Sequence, residues 1–141
     1  MRYVVDCSVA YKWEVPEAAT DKALRLRDDF RNGVHELFAP DIWPVEVANA
    51  LYTAELTAMI TPGRFEHRLA DVLGAGPALY QSTSLLPRAT VIIRRAVVRI
   101  GIYDCLYVAL AEREGCELVT ADQRLLSALP GSPIVPLSSL P

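Results

Sequence analysis

The sequence predicts an α/β fold with a mostly parallel central sheet and helices on both faces. Three observations lead there. Short β-favouring runs alternate with longer stretches of helical spacing. The 141 residues are 52% hydrophobic, enough to bury one core without disulfides or a structural metal. No internal repeat or low-complexity linker interrupts the alternation, so one compact domain over residues 1–141 is expected.

Tyr3-Val4-Val5 is a short strand candidate ending at Asp6, and the period changes from Ser8 onward, so the strand feeds a turn or helix. Thr20 is placed to cap a helix through Lys22, Leu24 and Leu26 to about Phe30, stopped at Asn32-Gly33. Glu36 to Ala39 reads as a second strand, closed by Pro40. Pro44 suits the first turn of a helix, where its missing N–H would be unpaired anyway, and Glu46 then lies in that turn. Val45, Ala48, Leu51 and Tyr52 continue at helical spacing to about Met59. Thr61-Pro62 begins another helix ending near Gly74, and the pair reads as a helical hairpin.

Leu79 to Ser82 reads as a short strand. Ser84 and Pro87 open a helix expected to run to Ile100 and stop at Gly101, with Arg88, Arg95 and Arg99 sharing its polar face. Asp104 opens the next helix, Cys105 to Glu114, which Gly115 ends. Glu117 to Thr120 is a buried-strand candidate beside Asp122, which starts a short helix from Gln123 to Leu129; Ile134-Val135 is the last strand.

The formal net charge is −3, so a nucleic-acid binder of this composition must use its positive charge locally. Cys7, Cys105 and Cys116 are odd in number and form no CxxC pair, which excludes a disulfide framework or zinc ribbon and suits a reducing cytoplasm. Asp6 falls where a signal peptide needs apolar residues, and Val91-Ile92-Ile93 is cut short by Arg94-Arg95, so neither export nor a membrane span is expected.

Asp6 and Asp122 each follow a predicted strand, while Glu46 and Asp104 each begin a helix. In open α/β sheets ligands bind at the carboxyl ends of the strands, so all four acids are expected on one rim. Four clustered carboxylates raise one another's pKa or recruit a cation. A hard cation such as Mg²⁺ or Mn²⁺ selects such oxygen ligands, and metal-bound clusters of this kind hydrolyse phosphodiesters. Each acid taken alone reads as a helix cap or a solvated first-turn charge; the set of four points to chemistry.

Four blocks carry a resemblance. They are Val4-Val5-Asp6-Cys7-Ser8 with Lys12-Trp13 and Pro16-Glu17; Pro44-Val45-Glu46-Val47-Ala48-Asn49-Ala50-Leu51; Tyr103-Asp104-Cys105 through Glu112; and Leu118-Val119-Thr120-Ala121-Asp122. In this order, across almost the whole chain, they resemble the successive blocks of PIN-domain ribonucleases of the VapC toxin family. The resemblance implies a PIN-like three-layer sandwich and a Mg²⁺- or Mn²⁺-dependent endoribonuclease. It further implies a cytoplasmic protein, usually a homodimer, held inactive by a VapB antitoxin. Asp6, Glu46, Asp104 and Asp122 match the family's acidic positions, with Asp6 and Asp104 as direct metal ligands. Glu46 and Asp122 either bind through water or orient the attacking water. Ser8 and Thr120 match the hydroxyl positions that hold these carboxylates, although either also reads as a local turn or cap. Cys105 departs from the small Ala often found there.

Other signals read as structural. His35 and His67 sit in no catalytic-loop pattern with the cysteines, and Asp6-Cys7-Ser8 lacks the second acid of an Asp-x-Asp phosphatase. Gly74-Ala75-Gly76-Pro77 lacks the lysine of a phosphate loop. Trp13, Tyr52, Tyr103 and Tyr107 read as core or interface residues, and Trp43 and Tyr52 are assigned to an apolar surface patch on the hairpin. Arg88, Arg95 and Arg99 form either a guide for an RNA backbone or a solvated face. Two competing functions stand beside the toxin: a PIN-type nuclease of RNA processing or DNA repair without an antitoxin, and a non-catalytic binding module. A neighbouring short reading frame for a DNA-binding antitoxin separates the first from the others.

Overall fold

The computed structural model describes residues 1–141 as five strands and seven α-helices. In chain order these are β1 (Arg2–Val5), α1 (Cys7–Glu14), α2 (Thr20–Arg31), β2 (Glu36–Pro40), α3 (Trp43–Leu56), α4 (Phe65–Gly74) and β3 (Ala78–Tyr80). After a short 3-10 turn come α5 (Leu86–Ile93), α6 (Ile102–Glu114), β4 (Glu117–Thr120), α7 (Gln123–Ala128) and β5 (Ile134–Pro136). All five strands are parallel, in the order β3-β2-β1-β4-β5. Right-handed crossovers place α1 to α4 on one face, because β1 to β3 progress in one direction, and α5 to α7 on the other. The order of the strands reverses between β1 and β4.

Val4, Val5, Leu118 and Val119 are fully buried, as strands covered on both faces must be. Helix α6 is the central helix of its layer: Cys105 to Ala111 are all buried in one unbroken run. It packs on β1, β2 and β4 and against α5. No helix is long and apolar enough to cross a membrane.

Thr20 is the first residue of α2 and not its cap, a position taken by Ala19 with φ +63°; four further expectations change. Helix α4 begins at Phe65 rather than at Thr61-Pro62, because the Glu55 carboxylate accepts from the Gly63 and Phe65 N–H groups (2.7 and 3.1 Å) and ties the preceding loop to α3. Helix α6 begins at Ile102, so Asp104 lies inside its first turn, where its Oδ2 accepts from the Gly101 N–H at 3.1 Å. Trp43 is 1% exposed, packed beside Trp13 (ring centroids 6.3 Å apart) and against Gly76, where a Cβ would stand 3.1 Å from the indole. It belongs to the core and not to a surface patch. Trp13 is also structural, its Nε1 donating to the Ala23 carbonyl at 3.0 Å.

The fourth change concerns the arginine face. Helix α5 stops at Ile93, and the Val97 N–H donates to the Ala128 carbonyl at 2.9 Å instead of continuing the helical ladder. Arg88 stays on α5, where its Nε lies 2.6 Å from Glu112 Oε2, whereas Arg95 and Arg99 fall in the loop before α6. The three arginines therefore share no helical face.

Candidate active site

Where the order of a parallel sheet reverses, the loops leaving neighbouring strands diverge and open a crevice at the carboxyl ends. Here that crevice lies between β1 and β4. Strand β1 delivers Asp6 and β4 delivers Thr120 and Asp122. The pairing Val5↔Val119, continued by one residue, sets Asp6 beside Thr120.

Asp6 is held from several sides. Its Oδ1 accepts from the Ser8 N–H (3.1 Å) and the Ser8 hydroxyl (2.5 Å), and its Oδ2 accepts from the Thr120 hydroxyl. The Ser8 hydroxyl also accepts from the Ala121 N–H at 2.9 Å, and Thr120 Oγ1 accepts from the Asp122 N–H at 3.0 Å, so the β1 and β4 loops are stitched together through two hydroxyls. Asp6 is 7% exposed, and burial pushes its carboxyl up to about 6 even though Ser8 and Thr120 favour the charged form.

Glu46, from the first turn of α3, is half-buried and accepts from the Tyr107 hydroxyl of α6 at 2.5 Å. Its pKa is raised by burial and by the charge of Asp104, against the Tyr107 hydrogen bond. Asp104 is raised chiefly by burial and also by Asp122, while the Gly101 N–H and Arg124 pull it down. The half-buried thiol of Cys7 registers the neighbouring acids: its pKa rises through burial and through the charges of Asp6, Glu46 and Asp104. That thiol is no nucleophile at neutral pH. The charges of Asp6, Glu46 and Asp104 are thus all felt at Cys7, and Asp104 is coupled to Glu46 and to Asp122, each acid coming from a different connection.

They do not close on one another. No group of three or more His, Cys, Asp or Glu side chains stands gathered for metal binding. The hydrogen bonds explain the spacing: both oxygens of Asp6 are engaged by hydroxyls, Glu46 is drawn to Tyr107, and Arg124 lies between Asp104 and Asp122. Arg124 Nη2 stands 3.6 Å from Asp104 Oδ2 and 3.4 Å from Asp122 Oδ2, and Asp122 Oδ1 accepts from the Arg124 N–H at 2.9 Å as the cap of α7. Even so, the donor set suits a hard divalent cation, being all carboxylate oxygen with more negative charge than its single arginine offsets.

Two residues here escape the sequence reading. Tyr107 reads as core, which it is at 2% exposed, yet its hydroxyl reaches Glu46. Arg124 lies two residues after Asp122, a spacing common at any helix start, and only the approach of α6 gives it meaning. Lys12, buried and paired with Glu17 at 2.7 Å, lines a cleft of about 130 Å³ with Thr120 and Ala121 beside the rim.

A family model described as PIN domain matches residues 3–130. Ribonuclease VapC3 of Pyrobaculum aerophilum is 29% identical over 132 residues, covering 92% of this chain and 96% of that protein. Among solved structures, PAE2754 of Pyrobaculum aerophilum superposes with a TM-score of 0.63 at 22% identity, covering 99% of this chain and 94% of the other. VapBC2 of Rickettsia felis, bound to a DNA fragment from its promoter, gives 0.66 at 13% identity with 96% and 98% covered. FitAcB of Neisseria gonorrhoeae gives 0.54 at 13% identity with 98% and 99% covered.

Proposed function

The chain belongs to the PIN domain family, and from that premise we propose that residues 1–141 form a single-domain, metal-dependent endoribonuclease, the toxin of a VapBC-type toxin–antitoxin pair. The observation that carries this reading is that Asp6, Glu46 and Asp104 all act on Cys7 beside the reversal point of the sheet, with Asp122 acting on Asp104. The likeness to a VapC ribonuclease over nearly the full length of both chains supports the substrate class. Structural likeness to VapBC2 supports a VapB-type antitoxin as the partner.

Asp6 and Asp104 are the proposed direct ligands of Mg²⁺ or Mn²⁺, with Glu46 and Asp122 beside them. A bound cation of this kind offsets the carboxylate charge, draws in a phosphodiester and makes a water more acidic. The chain's own residues do the rest. Ser8 and Thr120 lock the rotamer of Asp6, a positioning role of the sort that typically matters tenfold to a hundredfold. Glu46, with its proton affinity raised by burial and Asp104, is suited to take the proton of the attacking water. The water oxygen bonds to phosphorus as the bond to the leaving ribose oxygen breaks. Arg88, Arg95 and Arg99 lie outside any shared face, and a role in RNA binding would rest on each separately. The free thiols of Cys7, Cys105 and Cys116 agree with a cytoplasmic location.

The test is cleavage of total RNA by purified protein, with the 5′ ends of the fragments sequenced. Cleavage at recurring sites is expected with Mg²⁺ or Mn²⁺, ending with a chelator and returning when Mn²⁺ is restored. Cleavage that persists unchanged in chelator would remove the metal from the reading.

A homodimer is proposed from the hairpin surface. Val45, Tyr52, Leu56, Met59 and Leu73 remain exposed on α3, α4 and their loop, an apolar area that a symmetric partner covers. Light scattering at micromolar concentration is expected to give the mass of two chains, and Leu56→Glu to give one. A monomer for the unaltered protein would remove the idea.

A further inference from the structure

Arg124 is the one cation inside the acidic region, and its placement is unusual for a charge meant only to neutralise. Its guanidinium spans Asp104 of α6 and Asp122 of the β4–α7 turn, at 3.6 and 3.4 Å from their Oδ2 atoms, both too long for strong charge-assisted hydrogen bonds. The side chain is 57% exposed, so little beyond these two carboxylates holds it in place. Its backbone, by contrast, is fixed: the Arg124 N–H is anchored by Asp122 Oδ1 at 2.9 Å. A guanidinium on a fixed root, loosely paired with two acids and open to solvent, is built to move a short distance.

We propose that Arg124 is a resident counter-cation which a divalent metal displaces from Asp104 and Asp122, and which then pairs with the phosphate of the RNA drawn to the same rim. The inference rests on the metal-nuclease reading and names a substrate-binding residue within it. The physical sequence is simple. Before metal binds, Arg124 offsets part of the repulsion between Asp104 and Asp122, which act on one another directly. A hard divalent cation outcompetes a diffuse monovalent guanidinium for carboxylate oxygens. Once freed, the planar fork of the guanidinium matches a phosphate bidentately, a match lysine cannot make. The same side chain thus bridges the two acids in the idle enzyme and receives the polyanion in the working one. It also sets a threshold, because the metal must displace it before the site is assembled.

Calorimetric titration of Mn²⁺ into the RNA-free protein tests the first half without reference to activity. Removing the charge in Arg124→Ala is expected to tighten Mn²⁺ binding by about three- to tenfold, the size expected from losing two partly exposed ion pairs. Arg124→Lys, which keeps the charge, should stay near the unaltered protein. At saturating Mn²⁺ both variants should lose kcat/KM for RNA, by roughly tenfold or more, with most of the loss in KM. Equal Mn²⁺ affinity in Arg124→Ala and the unaltered protein would overturn the displacement. Full kcat/KM in Arg124→Ala at saturating metal would overturn the phosphate contact. If the unaltered protein binds no Mn²⁺ at all, the metal-nuclease reading itself fails, an outcome distinct from the other two.

Discussion

Asp6→Asn and Asp104→Asn are each expected to lower RNA cleavage on the order of a thousandfold, the scale at which removing one fixed electrostatic group from an active site is felt. The substitution keeps side-chain volume and removes the charge, so the loss isolates metal binding from packing. At Asp6 the geometry makes this a clean change. Asn Oδ1 can still accept from the Ser8 N–H and hydroxyl, and the Thr120 hydroxyl can accept from the new amide in place of donating to Oδ2. At Asp104 the retained oxygen can still accept from the Gly101 N–H, which keeps the first turn of α6 in place. Cleavage rates measured beside circular dichroism decide the matter. Ser8→Ala serves as the graded control, since it removes a support of Asp6 and leaves the carboxylate; its loss should be about tenfold to a hundredfold. Native rates in Asp6→Asn would mean that the coupled acids belong to something other than hydrolysis.

The acids were legible in sequence because each stands where an element begins or ends, and such positions are set by local rules. Val4-Val5 makes β1 and Leu118-Val119 makes β4, so Asp6 and Asp122 follow; Pro44 fixes the start of α3 and hence the level of Glu46. The order β3-β2-β1-β4-β5 then brings them to one crevice. What local rules do not carry is contact between distant segments. The α5 stretch keeps helical spacing to Ile100, yet the helix ends at Ile93 because the Val97 N–H finds the Ala128 carbonyl, and the shared face of Arg88, Arg95 and Arg99 disappears with it. Trp43 reads as part of a surface patch, and only the packing of Trp13 and Gly76 over it places it in the core. Tyr107 and Arg124 acquire their roles only through partners 61 residues away on α3 and across the α6–α7 contact. A hydrophobic run specifies that α6 is buried on all sides from Cys105 to Ala111, and says nothing of which hydroxyl in it meets an acid.

Without metal, the same Asp6→Asn change is expected to make the protein more stable, and the pH dependence of that gain reports the burial of the Asp6 carboxyl directly. The Asp6 carboxyl titrates near 3.8 in an unfolded chain and is raised to about 6 in the fold, chiefly by burial. A raised carboxyl means that the native state holds its proton more tightly than the unfolded state. Below about pH 3.5 both states are protonated and Asp6 costs nothing. As pH rises from about 3.5 to 6 the unfolded chain ionises first, so native stability falls; above about 6 the whole penalty is present. A displacement of about two pH units corresponds to roughly 3 kcal/mol at most, and relaxation around the charge brings the expected figure to about 1–3 kcal/mol. For a chain of this length that is roughly 4–10 °C in Tm. Thermal melts in chelator should therefore show Asp6→Asn above the unaltered protein at pH 7.5, with the gap shrinking to about a third by pH 4.5 and closing below about pH 3.5. Glu46 and Asp104, also raised, push the unaltered protein the same way and remain in both forms, so the difference belongs to position 6. Adding Mn²⁺ at pH 7.5 should reverse the order, because the cation stabilises only the form that retains its ligand. A gap that keeps its size at pH 4.5 would trace the effect to packing, and a lower Tm for Asp6→Asn in chelator at pH 7.5 would mean that Ser8 and Thr120 stabilise the Asp6 charge more than burial opposes it.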